Sequence, residues 1–208
     1  MTVTPTAHEV PQRSGVEKPT VMVDQLANYR RIANLPDGTR VLLRPMLPAD
    51  RASMLELFSQ VSRDDLRFLR QRVSDPAVVE TWFEHYDLRR VFPLLALVND
   101  HVVGDATLHV GEGPYRHLSW MRLYVAPEFR QRGVARLMVE SLTDIARKMG
   151  LQQILGEVTT NRVKVIKLLE SLSFTSMFKY PDHFMTEDGE VFDVEVLILP
   201  LVRKVEYY

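Results

Sequence analysis

The chain has 208 residues with 26 basic and 27 acidic side chains, a formal charge of −1, so no global field draws it to nucleic acid or to anionic lipid. Apolar residues at 46% and charged residues at 25% can build a globular core, and the length suits one domain with an appendage. The absence of cysteine excludes disulfides, thiolate metal sites and a cysteine nucleophile.

Residues 1–38 are expected to form an N-terminal tail with a short helical extension. Pro5, Pro11 and Pro19 sit among polar residues, without the basic start or apolar run of a secretory leader. No stretch approaches the roughly 18 consecutive apolar residues of a membrane span, so a soluble, cytoplasmic protein is expected. A domain over 39–199 follows, and 200–208 form a C-terminal tail. Residues 39–45 read as a strand entered through the Pro36-Asp37-Gly38 turn and closed by Pro45. Pro48 opens a helix with Met54, Leu55, Leu57 and Phe58 at helical spacing, and a shorter one covers 64–69. Asp75-Pro76 caps a third, with Val79, Trp82 and Phe83 on its apolar face and Tyr86 beyond. Such a stripe reads first as core, with the lining of a substrate pocket by Trp82, Phe83 and Tyr86 as the alternative.

Residues 92–98 and 102–110 form a hairpin around Asn99-Asp100, with Asp105, Thr107 and His109 on the face opposite Ala106, Leu108 and Val110. A fourth strand, 119–125, stops at Pro127. The next helix, 133–149, carries Val134, Leu137, Met138, Ser141, Leu142, Ile145 and Met149 in one stripe, then Arg147, Lys148 and Gly150. A strand over 154–158, a helix over 162–172 and strands over 175–180 and 191–199 complete the order. This is an α+β pattern, a mixed sheet flanked by helices.

The chemistry gathers between the fourth strand and the long helix. That helix aims its unsatisfied N–H groups into the preceding turn, and Gly133 lets an anion approach the backbone. From Arg116 to Lys148 there are seven Arg or Lys against three Asp or Glu, a local charge suited to a phosphorylated cofactor. Neither a dinucleotide-binding glycine motif nor a P-loop occurs. The six histidines have no metal-ligand spacing, so no metal is expected, and His109 reads as half-exposed or substrate-facing. No nucleophile elbow supports a serine hydrolase.

The segment Val125-x-Pro127-x-x-Arg130-x-Arg132-Gly133-Val134-Ala135 resembles motif A, Gln/Arg-x-x-Gly-x-Gly/Ala, of the GNAT superfamily of N-acetyltransferases, and the element order over about 39–199 is similar to that fold. The resemblance implies a mostly antiparallel mixed sheet and acetyl-CoA as co-substrate. It implies that backbone amides of Arg130, Gln131, Arg132, Gly133, Val134 and Ala135 grip the CoA pyrophosphate. Leu123, Tyr124 and Val125 would pair with the pantetheine arm, and Arg136 would add charge. Gly156-Glu157-Val158 through Asn161 to Leu172-Ser173-Phe174 resembles motif B, which implies a CoA contact for Asn161. The usual Asn column falls on Arg162, Ser173 replaces a glycine, and Leu169 stands where many members carry an acidic tyrosine.

A further resemblance, to bacterial Pat-type protein lysine acetyltransferases, rests on Leu43-Arg44-Pro45, Asp50 and the run from Ser62 to Phe68. It implies a protein lysine as leading acceptor, with small amines or amino acids next. The column for that group's catalytic glutamate holds Trp120 or Ser119. A lysine amine with pKa near 10.4 is neutral in only about one molecule in a few thousand at pH 7, so a base is needed. Glu157 is the first candidate and Glu112 the reserve, with a backbone N–H of Tyr124 or Val125 for the oxyanion. The alternative is a catalytically weak acyl-CoA sensor. No nucleic-acid or membrane partner is expected, and a homodimer stays open.

Overall fold

The computed structural model describes residues 23–69, 71–84 and 87–202. Eight strands form one sheet in the order β1-β2-β3-β4-β5-β6-β8-β7. They are β1 (Arg31–Asn34), β2 (Arg40–Pro45), β3 (Val91–Val98), β4 (His101–Val110), β5 (Leu118–Val125), β6 (Gln153–Thr159), β7 (Thr175–Met185) and β8 (Val191–Pro200). Every pairing is antiparallel except β5 with β6. Helices α1 (Val23–Leu26), α2 (Arg51–Ser59), α3 (Arg63–Leu66), α4 (Pro76–Glu84), α5 (Val134–Lys148) and α6 (Val163–Ser171) complete it. Among the described residues no helix is long and apolar enough to cross a membrane.

The two faces have separate cores. On the back, α5 buries Val134, Met138, Leu142 and Ile145 against Val41, Leu43, Phe92, Leu94, Ala106 and Leu108 of β2 to β4. These strand residues are the inward half of a two-residue alternation, so one helical stripe meets one pleated face. On the front, Met54, Leu57 and Phe58 of α2 and Val79 of α4 pack on Leu95, Leu97 and Tyr124. Burying a large apolar side chain contributes about 1.5–3 kcal/mol, so each helix is held to its face by several such residues.

Local chemistry explains the ends. Gly150 has φ +74, Gly150 N donates to Arg147 O and Leu151 N to Ala146 O, both at 3.0 Å, and buried Leu151 completes a Schellman stop for α5. Asn99 (φ +48) and Asp100 (φ +63) make the two-residue turn whose twist suits the β3–β4 hairpin.

Three segments differ from the sequence pattern. Residues 31–34, inside the expected extension, form edge strand β1 on β2; Arg31 donates to Glu140 Oε2 and Ser141 Oγ of α5 at 3.1 Å. The second helix is only α3, with Ser62 Oγ accepting from Asp65 N at 3.1 Å. Strand β7 runs five residues past its expected end at 180, through Pro181 and a register shift between Tyr180 and Phe184. Its position at the sheet edge tolerates the missing donor of proline.

Candidate functional site

Strands β5 and β6 pair only over Leu118↔Gln153, Ser119↔Ile154 and Trp120↔Leu155. Beyond Trp120 they part, and among the described residues the β6-facing edge of residues 121–125 has no strand partner. At the end of that edge the chain passes Val125, turns through Pro127–Phe129 and enters α5.

The entry is built for close backbone approach. Gln131 has φ +58 and Gly133 φ +102, and the first bond of α5 is Leu137 N to Gly133 O at 3.1 Å. The amides before Leu137 therefore have no acceptor inside the helix and sit at its positive dipole end. Among the described residues a Cβ on Gly133 would meet only Leu35 Cδ2, at 3.6 Å, so backbone conformation and not crowding demands the glycine.

The arginines of this turn are held by protein partners. Arg130 Nε donates to Val125 O at 2.8 Å and its Nη2 to Asp65 Oδ2 at 2.8 Å, with the guanidinium 5.6 Å from the Tyr124 ring centre. Arg132 Nε donates to Asp37 Oδ2 at 2.6 Å and its Nη2 to Thr39 Oγ1 at 2.5 Å. Hydrogen bonding by Arg132, with help from Thr39, draws the Asp37 carboxyl down to about 2. Arg136 Nη2 donates to Ser171 Oγ at 2.7 Å, tying α5 to α6. Val134 is buried in the back core and Ala135 packs against it.

On the front face a cavity of about 370 Å³ lies between the sheet and α2 and α4. Met46, Phe58, Val73 and Trp82 form apolar walls; Asp105, Thr107, His109, Arg122, Leu123 and Tyr124 form the floor. The register sets the floor, Asp105 opposite Tyr124 and Thr107 opposite Arg122. Burial pushes the Asp105 carboxyl up to about 7, against the opposing pull of the Thr107 hydroxyl and the Arg122 charge. Burial also raises the Tyr124 phenol, whose ring lies 5.7 Å from that of Phe58. Leu123 and Tyr124 thus border the cavity and belong to the part of β5 that pairs with β4 but has left β6.

The other sequence candidates are spread out. Glu157 is half-buried on β6 opposite Val196; strand alternation from the Trp120↔Leu155 rung gives it the front face, but it does not line the cavity. Glu112 is exposed and ion-paired with Arg90. Asn161 is exposed in the turn before α6 and shares a shallow groove with Asp64, Arg67, Phe68 and Arg162. Asp65 connects this turn to the α5 entry, since Arg162 Nη1 lies 3.6 Å from its Oδ1 and Arg130 holds its other oxygen. Leu169 is 1% exposed and packs over Gly156, where a Cβ would come within 3.1 Å of it. His109 lines the cavity, whereas Tyr86 lies outside the described residues.

Asp105, Arg122 and Asp65 are the groups that sequence pattern alone did not single out. The available signal for Asp105 and Thr107 was their place with His109 on one face of a strand whose other face is apolar. The Pat-like residues have structural work. Arg44 Nη1 and Nη2 each donate to Asp50 at 2.6 Å, and Leu47 N donates to Asp50 Oδ2 at 2.7 Å. Ser62 caps α3, and Phe68 packs on Phe192, ring centres 5.2 Å apart.

The model of the acetyltransferase (GNAT) family matches residues 55–174, more than half of the chain. Among solved structures the chain is similar to YncA, a putative acetyltransferase from Salmonella typhimurium with acetyl-CoA, at 21% identity and TM-score 0.68, covering 80% of this chain and 96% of that one. It is similar to the GNAT domain of PAT from S. lividans at 20% identity and TM-score 0.70, covering 84% and 98%. A spermidine N-acetyltransferase SpeG chimera from Vibrio cholerae and hSSAT matches at 16% identity and TM-score 0.66, covering 77% and 95%.

Proposed function

The chain belongs to the GNAT acetyltransferase family and is an acyltransferase; from that premise we propose that it transfers an acetyl group from acetyl-CoA to a primary amine by direct attack on the thioester. One observation carries the reading. The unpaired edge of β5 ends at the glycine entry of α5, and Leu123 and Tyr124 on that edge also floor a cavity. A donor in the cleft and an acceptor in the cavity would meet at the same backbone segment.

The residues present fit the co-substrate. Amides of Gln131 to Arg136 suit a diphosphate at a helix N-terminus, with Gly133 permitting the approach. The β5 edge at Leu123, Tyr124 and Val125 suits the amide-bearing arm, and Asn161 and Arg162 at the α6 entry offer further contacts. When bound, acetyl-CoA supplies an acyl group activated as a thioester. A backbone N–H at Tyr124 or Val125 is a fixed dipole where negative charge develops on the acyl oxygen. Arg130 and Arg132 work mainly by bracing the turn, through Asp65 and Asp37.

The cavity suits an alkylammonium, with apolar walls for a slender chain and the carboxyl of Asp105 for its cationic end. A protein lysine in the cytoplasm is the acceptor we place first, followed by small amines and amino acids. Cleft and cavity are both built from one chain, so the reading does not require a homodimer.

The test is thermal unfolding with acetyl-CoA, then release of free thiol with lysine peptides and small amines. Acetyl-CoA at about 100 times Kd adds roughly 2.7 kcal/mol. Thiol release above background with any amine supports the enzyme; a stability gain with none favours the acyl-CoA sensor, and no gain overturns both.

A further inference from the structure

We propose that Asp105 is the proton acceptor for the incoming ammonium, held in position by the Thr107 hydroxyl. This rests on the acetyltransferase reading above and names the base it lacks. Asp105 lines the cavity on the rung opposite Tyr124, where β5 has left β6. Thr107 Oγ1 lies 3.3 Å and 3.5 Å from its two oxygens, a long contact that leaves capacity for a substrate N–H.

The competing groups are worse placed. Glu157 does not line the cavity. Asp87 does, but it is exposed and caps its own turn, with Oδ1 accepting from Arg89 N at 2.9 Å. Among the described residues that line the cavity with Asp105, the charged and titratable ones are Arg122 and Tyr124 from β5, His109 from its own strand, and Asp87 from the segment before β3. From the packed elements β3, α2 and α4, the lining residues Pro93, Phe58, Thr81 and Trp82 bring no charge. The Asp105 carboxyl is raised to about 7 by burial, which matches a base to neutral pH.

The step balances. Asp105 takes one proton from R–NH3+, and the freed nitrogen bonds to the acyl carbon as the carbon–sulfur bond breaks. The departing sulfur ends with a second amine proton as a thiol, and Asp105 returns its own proton to water. The products are an N-alkylacetamide, CoA thiol and one released proton.

The test compares wild type, Asp105→Asn, Thr107→Val and Glu157→Gln by thiol release from pH 5.5 to about 9, with the acetyl-CoA thermal shift measured on each. In wild type the rate rises through an inflection near neutrality. Asp105→Asn should lose that inflection and about 10²–10⁴-fold in kcat, with the acetyl-CoA shift unchanged. Thr107→Val keeps the base and moves the inflection upward, because the hydroxyl favours the ionised form; this arm stands if Asp105→Asn fails to fold. In Glu157→Gln the inflection should persist, whatever the change in rate. Asp105→Asn with wild-type rate and inflection overturns the proposal alone, as does an inflection lost only in Glu157→Gln. Wild type without turnover on any amine overturns the acetyltransferase reading, and this proposal with it.

Discussion

Gly133 separates the cost of a backbone conformation from the function of the turn. Its φ of +102 and ψ of −6 place it where an L-residue pays about 1–2 kcal/mol. A new Cβ meets Leu35 Cδ2 at 3.6 Å, ordinary contact, so no packing cost is added. For a chain of this size 1 kcal/mol moves Tm by about 2–4 °C, and Gly133→Ala should lower Tm by roughly 2–8 °C. Gly133→Glu carries the same strain and also brings a carboxylate to the amides before Leu137. Wild type with acetyl-CoA at about 100 times Kd should gain roughly 5–11 °C. Scanning fluorimetry with acetyl-CoA, and with CoA as the diphosphate control lacking the thioester, reads both effects. Gly133→Ala should retain part of the ligand shift and Gly133→Glu none. A full shift in Gly133→Glu refutes the placement of the diphosphate, and Gly133→Ala with unchanged Tm refutes the strain argument.

Breaking the Arg44–Asp50 pair, whose side chains are 13% and 8% exposed, leaves a buried charge; Arg44→Met should cost about 3–5 kcal/mol by urea unfolding. Burial opposes ionisation of Asp50, but hydrogen bonds from Arg44 and Leu47 outweigh it and hold the carboxyl below its ordinary value. Its stabilisation is therefore present above the unfolded pKa near 3.9 and lost as pH falls through the lower folded value, so Asp50→Asn should unfold with a shallower acid limb. Asp105 has the opposite sign. Its folded pKa of about 7 exceeds the unfolded value, the folded state holds the extra proton, and stability should fall as pH rises from about 4 to 7. Asp105→Asn should flatten that slope, and an unchanged slope in chemical denaturation would contradict the raised pKa of this half-buried carboxyl. Asp65→Ala removes the carboxylate shared by Arg130 and Arg162 and should lower stability by about 1–3 kcal/mol, read as a shift in urea midpoint at constant m.

What could be read from the chain alone was whatever its own near neighbours decide. Helix α5 announces itself through a period that places Val134, Met138, Leu142 and Ile145 on one face, and Asn99-Asp100 specifies its hairpin through two adjacent positive φ values. Strand β1 is four residues long and depends on α5 contacts more than 100 positions away. Nothing local shows that β8 inserts between β6 and β7, since hairpin placement is settled by which edge is open.

The same distinction governs the site. Counting charges from Arg116 to Lys148 makes the turn strongly basic, yet Asp65 and Asp37, 65 and 95 positions away, pair with Arg130 and Arg132. Much of that positive field is therefore neutralised, so the proposed diphosphate site would rest on the backbone amides and the bend at Gly133, which carry no sequence charge at all. Asp105 makes the complementary case. Alternation on β4 gives its face, but its pKa is raised by burial, in a cavity whose walls include Phe58 and Trp82 from α2 and α4. A carboxylate becomes a base near neutrality only once distant helices remove its water, so composition and spacing cannot tell it from any exposed aspartate.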